Sequence, residues 1–204
     1  MTENPTHNTY ENKSDLELVQ LSLENKENFY YLMKRYEGKI SQYIRRLTNV
    51  SREESEDILQ DIFIKVYRNL NGFNQNFKFS SWIYRIAHNE IINHYHKNES
   101  RLKMVSLNLD KNDVHNLDKF ISDTDEVYTH LAAHENADII RKVLAKLPNK
   151  YREVLILRYL EEKKYDEISD ILCKPPGTVA TLINRAKSKF KKMAKHHNLM
   201  VNHD

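Results

Sequence analysis

Three glycines (Gly38, Gly72 and Gly177) and four prolines stand in 204 residues, where average usage gives roughly 14 and 10. Sheets joined by tight turns draw on these residues far more than helices do, so the expected fold class is all-α. The same scarcity removes the loops that cradle nucleotide phosphates, since neither G-x-x-x-x-G-K-[ST] nor G-x-G-x-x-G occurs. The single cysteine, Cys173, excludes an intrachain disulfide. The opening MTENPTHNTYENKSD has no apolar run resembling a signal peptide, and the expected compartment is a reducing cytoplasm. No stretch approaches the ~20 apolar residues that cross a bilayer. A hydrophobic content of 40% suits small helical cores in a soluble protein.

Acids are absent from 171–203, where seven bases stand (Lys174, Arg185, Lys187, Lys189, Lys191, Lys192 and Lys195), whereas 106–138 carries eight acids and two bases. The net charge of +3, with histidines neutral, hides this asymmetry. A partner feels the local field rather than the sum. The acidic stretch NLDKNDVHNLDKFISDTDE has little periodicity and reads as a linker between two domains. The expected division is 10–98 for a first helical domain, 99–127 for a flexible acidic linker and 128–197 for a second helical domain.

In the first half, Ser14-Asp-Leu-Glu17 and Ser51-Arg-Glu-Glu54 have the form of capping boxes. The first opens a short helix with Leu18 and Leu21 on one side. Phe29, Leu32, Tyr36, Ile40, Tyr43 and Leu47 recur every three or four residues and form one helical stripe. After the second box, Ile58, Leu59, Ile62, Phe63, Val66, Tyr67 and Leu70 are expected to face inward. Glu53, Glu54, Glu56, Asp57 and Asp61 crowd the positive helix start. The loop FNQNFKF follows Asn71-Gly72, and Ser80 or Ser81 is expected to cap a helix that buries Ile83, Ile86, Ala87 and Ile91. In the second half, Val127, Leu131, Ile140, Val143, Leu144 and Leu147 lead to Pro148, which should end their helix. YREVLILRYL then reads as a short apolar helix.

YDEISDIL, the break CKPP and GTVATLINRAKSKFKKMAK give two helices a few residues apart, the second basic, which is the pattern of a helix-turn-helix. An αα-hairpin in an ordinary bundle has similar spacing. Pro176 suits a first helical turn, and the amides near Gly177 and Thr178, with the Thr178 hydroxyl, can meet a phosphate. Val179, Leu182, Ile183 and Ala186 take the apolar positions. Ala180, Thr181, Asn184, Arg185, Lys187 and Lys189 are left facing outward or at the edge. A solvated basic helix is the plainer alternative, and the long absence of acids counts against it.

LPNKYREVLILRYLEEKKYDEISDILCKPPGTVATLINRAKSKF resembles region 4 of the extracytoplasmic-function sigma factors of bacterial RNA polymerase, whose usual run is close to LPxxYRxVxxLRYxEgxsyxEIAxxLgxpxGTVksrlxRAkxxL. EDILQDIFIKVYRNL resembles their region 2.2 helix with its DxxQexF core, and FKFSSWIYRIAHNEIINHYHK their regions 2.3 and 2.4, usually FxxWLyrIAxNxxiDxxRr. Together these cover about residues 15–97 and 130–192. The resemblance implies an alternative sigma factor, a transcription initiation factor that binds core polymerase and directs it to the −10 and −35 elements of specific promoters. The linker stands where housekeeping factors have a region 3 domain.

By the same resemblance, Asp57, Gln60, Asp61 and Phe63 bind the coiled coil of the largest polymerase subunit. The three polar residues share one side by helical spacing, although acids early in a helix also simply complement its dipole. Phe63 suits core as well as contact. At the −10 element the family captures a flipped base in the loop before the WxYRIAxN helix, here Asn71 to Phe79. An extruded base needs an aromatic or apolar wall, amide partners for its edge and cations for its backbone. Asn74, Asn76, Phe77, Lys78 and Trp82 offer these groups, and Arg85, Asn89, Asn93, His96 and Lys97 follow on the helix. Phe73 and Phe79 read as core, while Trp82 suits either role. At the −35 element the matching positions are Gly177, Thr178, Thr181, Asn184, Arg185, Lys187 and Lys189.

The chain also departs from the pattern. Asn93 and His96-Lys97 stand where the family commonly has Asp and Arg-Arg, so the local positive charge is weaker and partly pH-dependent. Ala180 and Leu182 replace a frequent Lys and Arg, which moves base reading to Thr181, Asn184 and Arg185. Cys173 occupies the usual turn glycine, where a left-handed side chain costs about 1 kcal/mol. His88, His94 and His96 with Glu90 lack the H-E-x-x-H spacing, and His94 and His96 project to different helix faces, so neither metal nor cofactor is expected. No Ser-His-Asp or Cys-His grouping has supporting context, and no catalytic residue or enzymatic activity is expected, the polymerase performing the phosphoryl chemistry. The implied partners are core polymerase, through that coiled coil and the flap of the second-largest subunit, promoter DNA, and an anti-sigma factor of a kind that is often membrane-anchored. The free chain is expected to be a cytoplasmic monomer. Two rivals share the composition: a one-component regulator with a C-terminal helix-turn-helix, against which EDILQDIF and FSSWIYRIAHN speak, and a helical interaction module whose basic tail binds an acidic partner.

Overall fold

Both capping boxes form. The Ser51 hydroxyl accepts from the Glu54 amide at 3.2 Å while the Glu54 carboxylate accepts from the Ser51 amide at 3.0 Å. At Ser14 and Glu17 the same pair of bonds measures 3.3 and 2.7 Å, and the Ser14 amide and hydroxyl hold the Glu17 carboxyl below its usual range. These caps start α1 (Asp15–Glu24) and α3 (Arg52–Asn69). Between them lie a 3₁₀ turn (Lys26–Asn28) and α2 (Phe29–Leu47), and after them a 3₁₀ turn (Leu70–Gly72) and α4 (Phe79–Lys97). The computed structural model describes residues 10, 12–48, 50–97, 109, 112–113, 117 and 133–201, with the backbone alone for 95–97, 133–139 and 195–201. Among the described residues every regular element is helical, and no helix is long and apolar enough to cross a membrane.

The chain divides into two compact units, Met1–Ile44 with Ser51–His94 and Arg45–Val50 with Tyr95–Asp204. In the first, the α2 stripe Leu32, Tyr36, Ile40 and Tyr43 is buried with Ile58, Ile62 and Val66 of α3 and Ile83, Ala87 and Ile91 of α4. Phe73 and Phe79 are core residues, in edge contact with centroids 5.4 Å apart. α4 starts at Phe79, ahead of both serines, and the Trp82 amide bonds to the Lys78 carbonyl at 3.1 Å. Neither Ser80 nor Ser81 therefore caps it. Anchoring of Phe79 against Phe73 and Tyr36 accompanies this earlier start, ahead of either serine. Tyr84 is buried where the spacing favours Ile86, which is half-buried.

In the second unit α5 (Ala133–Lys146) stops before Pro148, whose carbonyl accepts from the Arg152 amide at 3.2 Å to start α6 (Asn149–Leu155). YREVLILRYL is not one α-helix. Ile156–Leu160 form a π turn, closed by the Glu161 amide on the Ile156 carbonyl at 3.0 Å. Val154, Leu155, Ile156 and Leu157 are all fully buried, and four successive side chains at about 100° intervals do not fit one face of a regular helix; the wider turn accommodates them. α7 (Tyr165–Leu172) and α8 (Pro176–Val201) complete the unit, with α8 packed on α5, α6 and α7. Of the acidic middle segment, the described Leu109, Asp113 and Leu117 are buried, and the Leu109 carbonyl accepts from Arg141 at 3.0 Å. Val127, Leu131 and most of 99–127 lie outside the described residues.

Among the described residues, two other than glycine adopt positive φ: Glu162 at 53°, in the connection between the π turn and α7, and Cys173 at 51°, at the end of α7. Cys173 ends the helix in the left-handed conformation, and the Cys173 and Lys174 amides both reach the Ser169 carbonyl. This geometry favours glycine. Cys173→Gly and Glu162→Gly are each expected to raise stability by about 1 kcal/mol, read as a shift in the chemical denaturation midpoint with an unchanged slope. Loss of stability in both variants would show that side-chain contacts outweigh the backbone strain.

Candidate functional site

Along α3, Asp57, Gln60, Asp61, Ile64 and Arg68 follow helical spacing, and all five are exposed. The three polar positions of the DxxQexF match thus share a solvent-facing side, while Phe63 is buried. This side borders an apolar groove of about 650 Å³ lined by Phe29 and Met33 of α2 and Leu59, Gln60, Phe63, Ile64 and Tyr67 of α3, with Glu37 and Arg68 supplying charge. Phe29 meets Tyr67 edge-on at 5.2 Å and Phe63 at 6.5 Å, which holds the floor of the groove open as an aromatic shelf. The spacing places Tyr67 and Leu59 inward, but Tyr67 is 39% exposed and Leu59 half-buried, because α3 is apolar over more of its circumference than α2 covers. Ile64, 45% exposed, is the groove residue that the spacing could have revealed: an isoleucine in the polar stripe of an amphipathic helix.

The loop before α4 is built by one side chain. Asn74 Oδ1 accepts from the Asn76 amide at 3.0 Å, and the Asn74 carbonyl accepts from the Phe77 amide at 3.1 Å. This Asx turn leaves Asn74, Asn76, Phe77 and Lys78 exposed. Asn74 therefore shapes the loop, its carbonyl oxygen being committed within the chain, and Phe77, 44% exposed, is the aromatic face the loop offers. Trp82 is half-buried against Phe73 and Phe79, with centroids at 5.2 and 5.5 Å. Along α4, Arg85 is half-buried and Asn89 and Asn93 are exposed; the side chains of His96 and Lys97 lie outside the described residues. Glu90 forms an ion pair with Lys65 of α3.

α7, the Cys173–Pro175 break and α8 form the helix-turn-helix. Val179, Ile183, Ala186 and Phe190 are buried, and Gly177, Thr178, Thr181, Asn184, Arg185 and Lys189 are exposed. Two expectations change here. The Thr178 and Val179 amides both bond to the Pro175 carbonyl, at 2.9 and 3.1 Å, so the Thr178 amide is already used in starting the helix. Lys187 is half-buried, its ammonium 5.5 Å from the centre of the Tyr159 ring. Burial and the neighbouring Tyr165 push the Tyr159 phenol up to about 12. Arg158 stacks near both Tyr159 and Tyr165, completing a cationic and aromatic cluster beside the start of α7.

Residues 32–101 match the family described as Sigma-70 region 2, and residues 137–190 match Sigma-70, region 4. The chain is 32% identical over 176 residues to the ECF RNA polymerase sigma factor SigW of Bacillus subtilis, covering 86% of this chain and 93% of that protein. It is 29% identical over 167 residues to the ECF RNA polymerase sigma-E factor of Haemophilus influenzae, covering 82% and 87%. Among solved structures it resembles CnrH in complex with the cytosolic domain of CnrY, with a TM-score of 0.62 and 20% identity over 90% of this chain and 99% of that one. It also resembles the sigma factor RpoE in complex with the anti-sigma factor NepR from Bartonella quintana, at TM-score 0.58 and 19% identity over 83% and 98%. With both sigma regions matched in order, and the exposed faces of α3 and α8 falling on the matching motifs, the chain belongs to the extracytoplasmic-function sigma factors of RNA polymerase, within the sigma-70 family.

Proposed function

We propose that this sigma factor meets core polymerase through Asp57, Gln60, Asp61 and the apolar groove beside them, holds an unpaired −10 base against Phe77, and reads the −35 element with the exposed face of α8. The observation that carries the reading is the exposure of all three polar motif positions on α3 next to an uncovered apolar groove, while Ile58, Ile62 and Val66 of the same helix are core. A polar rim around an apolar centre is what a protein interface requires. The second unit offers the flap of the second-largest subunit its other contact. The chain contributes specificity and the polymerase the phosphoryl chemistry, in the cytoplasm. The CnrH structure contains the cytosolic domain of CnrY and the RpoE structure the anti-sigma factor NepR; an anti-sigma factor that covers the groove or the α8 face would silence this chain.

The test is run-off transcription with purified core polymerase and genomic fragments. New start sites that depend on this chain are expected, and their absence would reject the reading; a one-component regulator would alter existing starts only. Within the helix-turn-helix, Lys189 is exposed and Lys187 is held on Tyr159. Lys189→Ala is therefore expected to lower the salt slope of promoter binding by about 0.9, the value of one lost phosphate contact, whereas Lys187→Ala should lower thermal stability more and the slope less. Equal slopes for wild type and Lys189→Ala, from binding titrated against salt, would remove Lys189 from the phosphate contacts.

A further inference from the structure

The first nine residues of α8, Pro176 to Asn184, contain no charged side chain, and the first cation of the helix is Arg185. Within that uncharged stretch Thr181 is exposed, and its hydroxyl donates to the Gly177 carbonyl one turn back at 2.9 Å. Threonine in a helix commonly makes this bond, and doing so fixes χ1. The consequence is chemical. With its proton committed to the backbone, Thr181 does not donate to the purine N7 or O6 acceptors that mark guanine in the major groove; outward it presents its methyl and the remaining acceptor lone pair of its oxygen, and of these the methyl is the group that singles out thymine. Ala180 beside it is small and half-buried, so no long side chain on that flank holds the helix away from the base edges.

We infer that Thr181 is a specificity-determining residue that selects a thymine in the −35 element by contact between its methyl and the thymine 5-methyl, a pairing the major groove allows for no other standard base. The inference rests on the reading of α8 as the −35 helix. It assigns to this chain an apolar contact at the centre of the reading face, flanked by Thr178 one turn toward the helix start and by Asn184 and Arg185 toward its end, all exposed.

Replacing thymine by deoxyuridine removes the 5-methyl and leaves every hydrogen-bonding group in place. On a promoter first shown to support transcription by wild-type holoenzyme, the −35 thymines are replaced one at a time and holoenzyme binding is measured. One position is expected to lose about fourfold with wild type, the worth of one buried methyl. Thr181→Ser, which keeps the hydroxyl and the bond to Gly177, should lose about the same on the thymine promoter and nothing further on deoxyuridine. Thr181→Val, which keeps a methyl and loses the hydroxyl, should remain sensitive to deoxyuridine. Circular dichroism and core-polymerase binding confirm that both variants fold. Indifference of wild type to every deoxyuridine, or a serine variant that binds as wild type while the valine variant fails, would overturn the methyl contact. Should wild-type holoenzyme open no promoter in the first step, the sigma-factor reading itself falls, a result distinct from either of these.

Discussion

Ile64→Asp is expected to weaken binding to core polymerase by about 30-fold or more while leaving the helical fold intact. Ile64 is 45% exposed, so a carboxylate there stays solvated in the free protein. On the proposed docking surface it would be covered in the apolar groove it lines with Phe63 and Tyr67, where an unpaired charge is costly. Truncating the centre of an interface commonly costs 2 kcal/mol or more, which converts to the stated loss. Two companions locate the effect. Ile62→Asp, two residues away but fully buried, should abolish folding rather than binding. Asp57→Ala with Gln60→Ala, at the polar rim, should weaken binding less than Ile64→Asp because rim groups remain hydrated. Competition against a labelled sigma factor for purified core, read beside thermal melting by circular dichroism, separates the three. An Ile64→Asp variant that folds and competes as well as wild type would remove the groove from the docking surface.

Local rules made the starts of α1 and α3 and the α2 stripe legible in the sequence, though not the start of α4 or all of its buried side. Ser14 with Glu17 and Ser51 with Glu54 are complete within four residues, and the α2 stripe from Leu32 to Leu47 needs only the helical repeat. Pro148 and the Cys173 break likewise fall where single residues dictate them. What spacing does not carry is the extent of cover. α3 has apolar residues on more than one side, and only the packed structure shows that Ile58, Ile62 and Val66 are covered while Leu59, Ile64 and Tyr67 border open space. Side-chain commitments are hidden for the same reason. Asn74 is indistinguishable in sequence from a base-reading amide, yet its oxygen is taken up by the Asn76 amide. Lys187 has the spacing of a phosphate anchor, yet it sits on Tyr159, 28 residues earlier in the chain. The π turn escapes periodicity altogether, because four consecutive buried residues, Val154 to Leu157, fit no single helical face.

Phe77→Ala is expected to slow opening of a duplex promoter by about 5- to 150-fold while leaving transcription from a template already unpaired at the −10 element much less affected. The range follows from the 1–3 kcal/mol that one base gains by stacking on an aromatic ring. On the proposed reading, stacking on Phe77 would offset the cost of unstacking and unpairing the base, so its loss should appear where the duplex must be opened and be reduced where that cost has been met in advance. Phe77 is the side chain to remove because it is 44% exposed and held outward by the Asn74 turn, whereas Phe73 and Phe79 are core and their loss would disturb the first unit as a whole. The turn itself supplies the control. Asn74→Asp keeps an oxygen that can accept from the Asn76 amide and should retain most of the opening rate, while Asn74→Ala loses that bond and should approach Phe77→Ala. Were Asn74 a reader of the base edge through its amide N–H, the aspartate would fail as badly as the alanine. Opening is followed by permanganate reactivity of the −10 thymines and full-length transcript by run-off, on duplex and pre-melted templates in parallel. Equal losses on both templates for Phe77→Ala would show that the ring acts after melting or in the fold, and would remove base capture from this loop.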